Sequence, residues 1–221
     1  GLARRSIMLT HRNLQTMYFR AYAVDLRQWL DRSDDWNLLP SSQDVQKIVQ
    51  TQQPATSWQV PLPATPDYRS HRTFVTPDIR RLGLFVVVSS ARADFGTANN
   101  ELLAVPLLLS DLVVLSRPNG LGGVEVRVVS GATGEPVRGA SVTLWKRDWQ
   151  QGHHPVKTLT ADEGGMVVFD STGKRRDTNN FLVAEHGGDL SLEANGVWFS
   201  MPSKPELRTA SLVFTDRSIY R

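Results

Sequence analysis

Residues 124–145 read VEVRVVSGATGEPVRGASVTLW, a pattern that indicates antiparallel β structure. It begins with a valine-rich strand candidate at 124–129 and ends with a second candidate at 141–145. Between them lies a glycine-bearing turn, and Pro136 stiffens the chain as it returns. The stretch therefore predicts two strands joined by a turn.

The same pattern extends through the second half of the chain. Strand candidates recur about every 8 to 12 residues and are separated by turns that contain glycine, which is the spacing of a β-sandwich. No crossover helix fits into gaps of this length, so two packed antiparallel sheets are favoured over a parallel sheet. The candidates are 124–129, 141–145, 156–159, 166–169, 180–184, 189–192 and 207–214.

The first half is also predicted to contain strands. Residues 7–24 suit one bent strand or two strands joined by a short turn. After a proline-rich stretch at 54–66, strands are predicted at 71–75 and 82–88. The second of these is apolar enough to lie at the centre of a sheet.

Residues 25–53 interrupt the strands with a helical pattern. Leu26, Trp29 and Leu30 recur at the spacing of one helix face. The four residues 41–44 then precede further periodic apolar residues, as a helix start does. We therefore expect one or two short helices, inserted between the strands of the first half.

The length of the chain indicates two domains. With 221 residues it exceeds most single domains, so two units of about 100 residues each are expected. Residues 102–115 form two apolar stretches separated by two polar residues. We place a boundary in this region, near 106–109. The first domain is then 1–107, with the helical insertion at 25–53.

Charge and composition exclude several classes of function. Lys and Arg number 25 against 22 Asp and Glu, so the net charge of +3 gives no concentrated basic face and predicts no nucleic-acid binding. The absence of cysteine excludes disulfides and cysteine nucleophiles. Residues 102–115 fall short of the roughly 18 to 20 apolar residues of a membrane helix. The chain starts at Gly1 without Met, so we expect it to belong to a longer protein.

No catalytic, cofactor-binding or metal-binding residue is predicted. His153 and His154 could join His186 around a metal, but adjacent residues of an extended chain point to opposite sides, and no carboxylate pattern completes the set. Asp162 and Glu163 lie in a glycine-rich turn that lacks the ladder of acidic residues of a calcium loop. No nucleophilic-serine motif is found. Residues 120–123 are interpreted as a linker turn and not as a phosphate loop, because no lysine follows at the required spacing and the next element is a strand. We therefore expect a protein that is not an enzyme.

Six tryptophans leave a carbohydrate-binding interpretation open. Burial in a core is the more common role of tryptophan, and we favour it for Trp29 and Trp145. Trp149 lies in a polar loop and is expected to be the most exposed. The alternative function is thus a cell-surface adhesion or glycan-binding module of immunoglobulin type, which loss of glycan binding in a Trp149→Ala variant would support. A hydrolase with a β-rich accessory domain is disfavoured by the missing motifs.

Four segments of the chain resemble the alpha-2-macroglobulin family. Residues 213–221, VFTDRSIYR, are similar to the opening strand of a macroglobulin domain, which normally continues with Pro-Gly. Residues 17–22 resemble a first-domain strand of bacterial members, and 109–115 resemble the strand that opens the next module. Residues 82–90 resemble a further strand, although leucine precedes its glycine where the family usually has proline.

This resemblance implies a mainly β fold of two tandem antiparallel β-sandwich domains of macroglobulin type, at 1–107 and 108–206, with the opening strand of a third domain at 207–221. It implies a structural scaffold within a large bacterial protein that traps proteases as an endopeptidase inhibitor. The implied partners are the neighbouring macroglobulin domains and, through the full-length protein, target proteases. The implied location is extracytoplasmic, in the periplasm or at the cell surface, where bacterial members are often lipid-anchored. A reactive thioester needs a cysteine, so it would lie outside this chain or be absent from this homologue.

Overall fold

A computed structural model describes residues 6–32, 38–65, 67–148, 150–171, 173 and 176–200, apart from the side chains of residues 42 and 176–178. This part of the chain forms thirteen strands and two helices, and all pairs of neighbouring strands are antiparallel. The mainly β fold predicted from the sequence is confirmed. Both helices are too short to cross a membrane, and the described ranges hold no other.

The elements of the first half are β1 (Ile7–His11), β2 (Thr16–Val24), α1 (Leu26–Arg32), α2 (Ser42–Thr51), β3 (Thr56–Pro61), β4 (His71–Val75), β5 (Gly83–Ser90) and β6 (Leu103–Leu109). Strands β3, β2, β5 and β6 form one sheet in that order, and β1 pairs with β4 in a second. Apolar side chains between the two sheets form the first core. They are Leu9, Met17, Phe19, Ala21, Leu62, Val75, Ile79, Phe85, Val87 and Leu109.

Helix α2 covers the opposite face of the four-stranded sheet. Its start is a capping box, in which the Ser41 side chain accepts from the Asp44 N–H and the Asp44 carboxylate accepts from the Ser41 N–H. Ile48 on this helix is buried with Tyr22 and Val86 of the sheet. The helix start predicted at 41–44 is therefore confirmed.

The elements of the second half are β7 (Leu112–Pro118), β8 (Val124–Ser130), β9 (Ser141–Lys146), β10 (His154–Thr160), β11 (Met166–Phe169), β12 (Arg176–His186) and β13 (Asp189–Ser200). Sheet β11-β8-β7 faces sheet β10-β9-β12-β13, so the predicted sandwich is confirmed. Its core consists of Leu112, Val114, Val124, Val126, Val128, Ala140, Val142, Leu144, Ala161, Val167, Phe169, Leu182, Ala184, Val197 and Phe199.

The chain passes from one pair of sheets to the other at residues 110 and 111. Strand β6 ends at Leu109 in a sheet of the first half, and β7 begins at Leu112 in a sheet of the second. The predicted division into domains at 107 and 108 lies beside this point and stays a prediction. The third domain predicted at 207–221 lies outside the described residues.

Strands β3 and β13 depart from the sequence prediction for different physical reasons. Strand β3 occupies part of the proline-rich stretch 54–66, to which no strand was assigned. It lies at the edge of its sheet, where proline at the strand end is tolerated. Strand β13 continues to Ser200, well beyond the predicted 189–192, because a register shift against β12 allows the pairing to resume.

Candidate interface between the two halves

A buried apolar cluster joins the two halves of the chain, and we call it the interface cluster. The first half contributes residues of helix α1, Leu38, and one residue of β5. The second half contributes side chains from β9 and β12, on the face of the sheet that points away from the sandwich core. The buried members are Leu26, Leu30, Leu38, Leu84, Trp145, Phe181 and Val183.

Helix α1 presents its apolar face to this cluster because of its spacing. Leu26 and Leu30 stand four residues apart and therefore lie on one side of the helix. The helix begins after Asp25, whose carboxylate accepts a hydrogen bond from the Gln28 N–H at 3.0 Å. Trp29 is partly buried against the same cluster. The short helix thus acts as the contact element of the first half.

Aromatic side chains form the surface that α1 contacts. Trp145 and Phe181 are cross-strand partners on β9 and β12, and their rings stack at 5.8 Å between centroids. His153 meets the Phe181 ring edge-on at 5.8 Å, and the Arg147 guanidinium lies 5.9 Å from the same ring. Burial lowers the pKa of Arg147. The second half therefore presents an aromatic, mainly apolar surface to α1.

A charged pair closes the rim of the interface. The Arg27 guanidinium on α1 donates to the Glu185 carboxylate on β12 at 2.5 Å. This hydrogen bond raises the pKa of Arg27 above its ordinary value, against the opposing effect of burial. Because the Arg27 side chain is 55% exposed, such a pair contributes at most about 1 kcal/mol. The pair therefore helps to orient α1 on the second half but adds little to the stability of the contact.

The connection between the halves is itself fixed by hydrogen bonds. The Asp111 N–H donates to the Asp189 carboxylate at 2.7 Å, and the Ser130 hydroxyl donates to the Asp111 carboxylate at 2.7 Å. The Asp111 carbonyl accepts from the Gly131 N–H at 2.5 Å. These bonds attach the linker to the start of β13 and to the end of β8. The linker is therefore part of the packed second half.

The histidines considered for a metal site lie in different surroundings. His153 is buried on the Phe181 ring, and its Nδ1 accepts from the Asp148 N–H at 3.2 Å. His154 is exposed, and His186 is at the far end of β12. Across the described ranges, no group of three or more His, Cys, Asp or Glu side chains is arranged to hold a metal ion.

The two predicted turns have the hydrogen bonds of ordinary turns. The Asp162 carboxylate accepts from the N–H groups of Gly164 and Met166, both at 2.9 Å. Glu163 pairs with Arg138. In the segment 120–123, the preceding Asn119 side chain accepts from two backbone N–H groups. Of the two acidic residues of this turn, Asp162 is the one whose carboxylate accepts from the turn backbone.

The tryptophans divide between packing and exposure. Trp145 is 2% exposed, so its predicted burial is confirmed, although its partners belong to the interface and not to the sandwich core. Trp198 is 59% exposed, which the sequence did not indicate. Trp149, on which the glycan-binding alternative depends, lies outside the described residues, so that alternative stays a prediction.

Two solved structures of bacterial origin share the arrangement of sheets. Native alpha-2-macroglobulin from Escherichia coli spanning domains NIE-MG1 is 17% identical, with a TM-score of 0.63 over 85% of this chain and 86% of that one. The same protein spanning domains MG0-NIE-MG1 is 16% identical, with a TM-score of 0.63 over 87% of this chain and 59% of that one. No protein-family model and no curated protein matches the sequence. The resemblance predicted from the sequence is thus confirmed in the fold, which is that of the NIE-MG1 region of a bacterial alpha-2-macroglobulin.

Proposed function

We propose that the chain is a scaffold segment of a larger alpha-2-macroglobulin-like protein. The observation that supports this best is the interface cluster, in which side chains of both halves are buried together. Two modules on a flexible tether would leave Leu30 and Phe181 in water, yet both are 0% exposed. An apolar contact of this kind opposes independent motion of the halves, which is what a scaffold requires.

The proposal extends to the whole protein. We propose that the full-length protein traps proteases as an endopeptidase inhibitor, that this segment catalyses no reaction, and that it contacts neighbouring macroglobulin domains. The proposed location is the periplasm or the cell surface. The support is the fold shared with two structures named as native alpha-2-macroglobulin.

The scaffold proposal is tested by measuring the distance between the halves. The chain has no cysteine, so Thr10→Cys and Val168→Cys introduce unique sites for spin labels on exposed positions of β1 and β11. Electron-electron double resonance should give a narrow distance distribution. Leu30→Ala removes a buried interface side chain and should broaden it.

A second leucine serves as the matched control. Leu182 is also 0% exposed, but its side chain belongs to the core of the second half. Leu182→Ala and Leu30→Ala should each lower the free energy of unfolding by about 2 to 5 kcal/mol. Leu182→Ala should nevertheless leave the distance distribution narrow. A broad distribution in the doubly labelled chain without either leucine change would overturn the scaffold proposal.

A further inference from the structure

A shallow groove of about 390 Å³ lies on the first half, and none of its lining residues belongs to the interface cluster. Its floor is the outer face of β2 and β3, where Tyr18 is the partner of Gln59 and Arg20 is the partner of Ser57. Phe95, from the loop after β5, forms the wall. The groove is within the size range of small-ligand sites, roughly 300 to 1,000 Å³.

The polar side chains of this groove carry more potential hydrogen-bond donors than acceptors. Arg20 brings five N–H donors, and the hydroxyl groups and the amide on the floor add more. None of its described lining residues carries a carboxylate. Within the described ranges, Arg20 makes no ion pair, and its guanidinium lies 4.0 Å from the centre of the Phe95 ring. The groove therefore has an excess of positive charge and of donors.

Asp94, which precedes Phe95 in the chain, already accepts hydrogen bonds from other residues. Asp94 accepts two hydrogen bonds from the Arg92 guanidinium, at 2.9 and 2.6 Å, and one from the Gly96 N–H at 3.0 Å. These bonds hold the pKa of Asp94 well below its ordinary value. In the described part of the chain, the Asp94 carboxylate is thus bound by Arg92 and Gly96 and makes no hydrogen bond to Arg20.

The wall of the groove is built in advance. Phe95 has a backbone φ of 58°, a left-handed conformation that a bulky residue rarely adopts. The Asn100 side chain holds the loop in this shape by donating to the Ser90 hydroxyl at 2.9 Å and to the Gly96 carbonyl at 2.7 Å. These two hydrogen bonds hold the loop in its strained conformation, and the loop places the Phe95 ring under Arg20. The guanidinium is thereby oriented before any ligand arrives.

We propose that this groove binds a carboxylate side chain carried by an extended peptide segment of a partner protein. The planar guanidinium fork of Arg20 matches a carboxylate, which it can bind through two parallel hydrogen bonds. Among the described strands, β3 hydrogen-bonds to β2 alone and is the edge of its sheet, so the peptide backbone can align along it. Ser57 and Gln59, which are exposed on β3, lie beside the peptide and supply further polar contacts.

The test uses a fluorescein-labelled peptide of five residues, with threonine and valine alternating around a central glutamate. Fluorescence anisotropy should show binding to the whole chain. The peptide with glutamine at the centre should bind at least about tenfold more weakly, since one bidentate charged contact is worth at least that factor. Arg20→Gln should weaken binding of the glutamate peptide by a similar factor, and Arg20→Lys by less.

Two further variants make the test independent of folding defects. Ser57→Asp places a carboxylate directly opposite Arg20 on an exposed position, so it should block the glutamate peptide without disturbing the Phe95 contact. Arg138→Gln removes the same charge from the second half and should bind like the unaltered chain. Equal binding of the glutamate and glutamine peptides, unchanged binding in Ser57→Asp, or no binding at millimolar peptide would overturn the proposal.

Discussion

Gly123 stands where the β7–β8 turn approaches the end of β11. A β-carbon at this position would lie 2.3 Å from the Phe169 carbonyl oxygen, closer than non-bonded atoms come. Gly120, in the same turn, has no atom within 4 Å of the corresponding point. The sequence predicted a turn at 120–123 correctly. It could not show which glycine is required, because the constraint comes from a strand far along the chain.

Gly123 and Gly120 should therefore differ in how well they tolerate substitution by alanine. Gly123→Ala forces the backbone near Phe169 to move, so it should lower the free energy of unfolding by about 1 to 3 kcal/mol. Gly120→Ala meets open space and should change it by less than about 0.5 kcal/mol. Urea denaturation followed by tryptophan fluorescence measures both. Similar effects of the two substitutions would show that close packing at Gly123 is not the cause.

At the scale of elements, the sequence is informative where the signal is local. The start of α2 depends on a side chain and a backbone group three residues apart, so the pattern at 41–44 was sufficient to predict it. Strand β3 was missed because Pro54 and Pro61 at its ends obscure it, and only its place at a sheet edge makes it a strand. Pairing partners are set by tertiary contacts, which a local pattern does not contain.

The contribution of the capping box to the stability of α2 can be measured by removing the Ser41 hydroxyl. Ser41→Ala removes the acceptor for the Asp44 N–H and should destabilise α2 by about 1 kcal/mol. Amide hydrogen exchange should become about fivefold faster at Val45 and Ile48. Ser116→Ala, on an exposed position of β7, is the control and should leave these rates unchanged. Unaltered exchange in Ser41→Ala would mean that packing on Tyr22, and not the cap, fixes the helix.

At the scale of the whole molecule, the interface cluster is the feature that the sequence did not reveal. The helical spacing of Leu26 and Leu30 predicted an apolar face, and Trp145 was correctly expected to be buried. The pattern could not say that these residues meet each other. Trp145 was expected to pack in a core, whereas its side chain and that of Phe181 project from the outer face of the sandwich toward α1. Which of two faces a strand residue covers depends on what packs there.

The final prediction concerns the full-length protein, in which rigid units should enclose a trapped protease. Incubated with a broad-specificity endopeptidase, that protein should abolish cleavage of a large protein substrate and spare cleavage of a short chromogenic peptide, because an enclosure excludes molecules by size. Leu30→Ala, which loosens the interface cluster, should restore part of the cleavage of the large substrate, and Leu182→Ala should not. Equal loss of cleavage of the large substrate and of the short peptide would indicate inhibition at the protease active site. Retention of both would contradict trapping, and the spin-label distances would then decide separately whether the segment is still a scaffold.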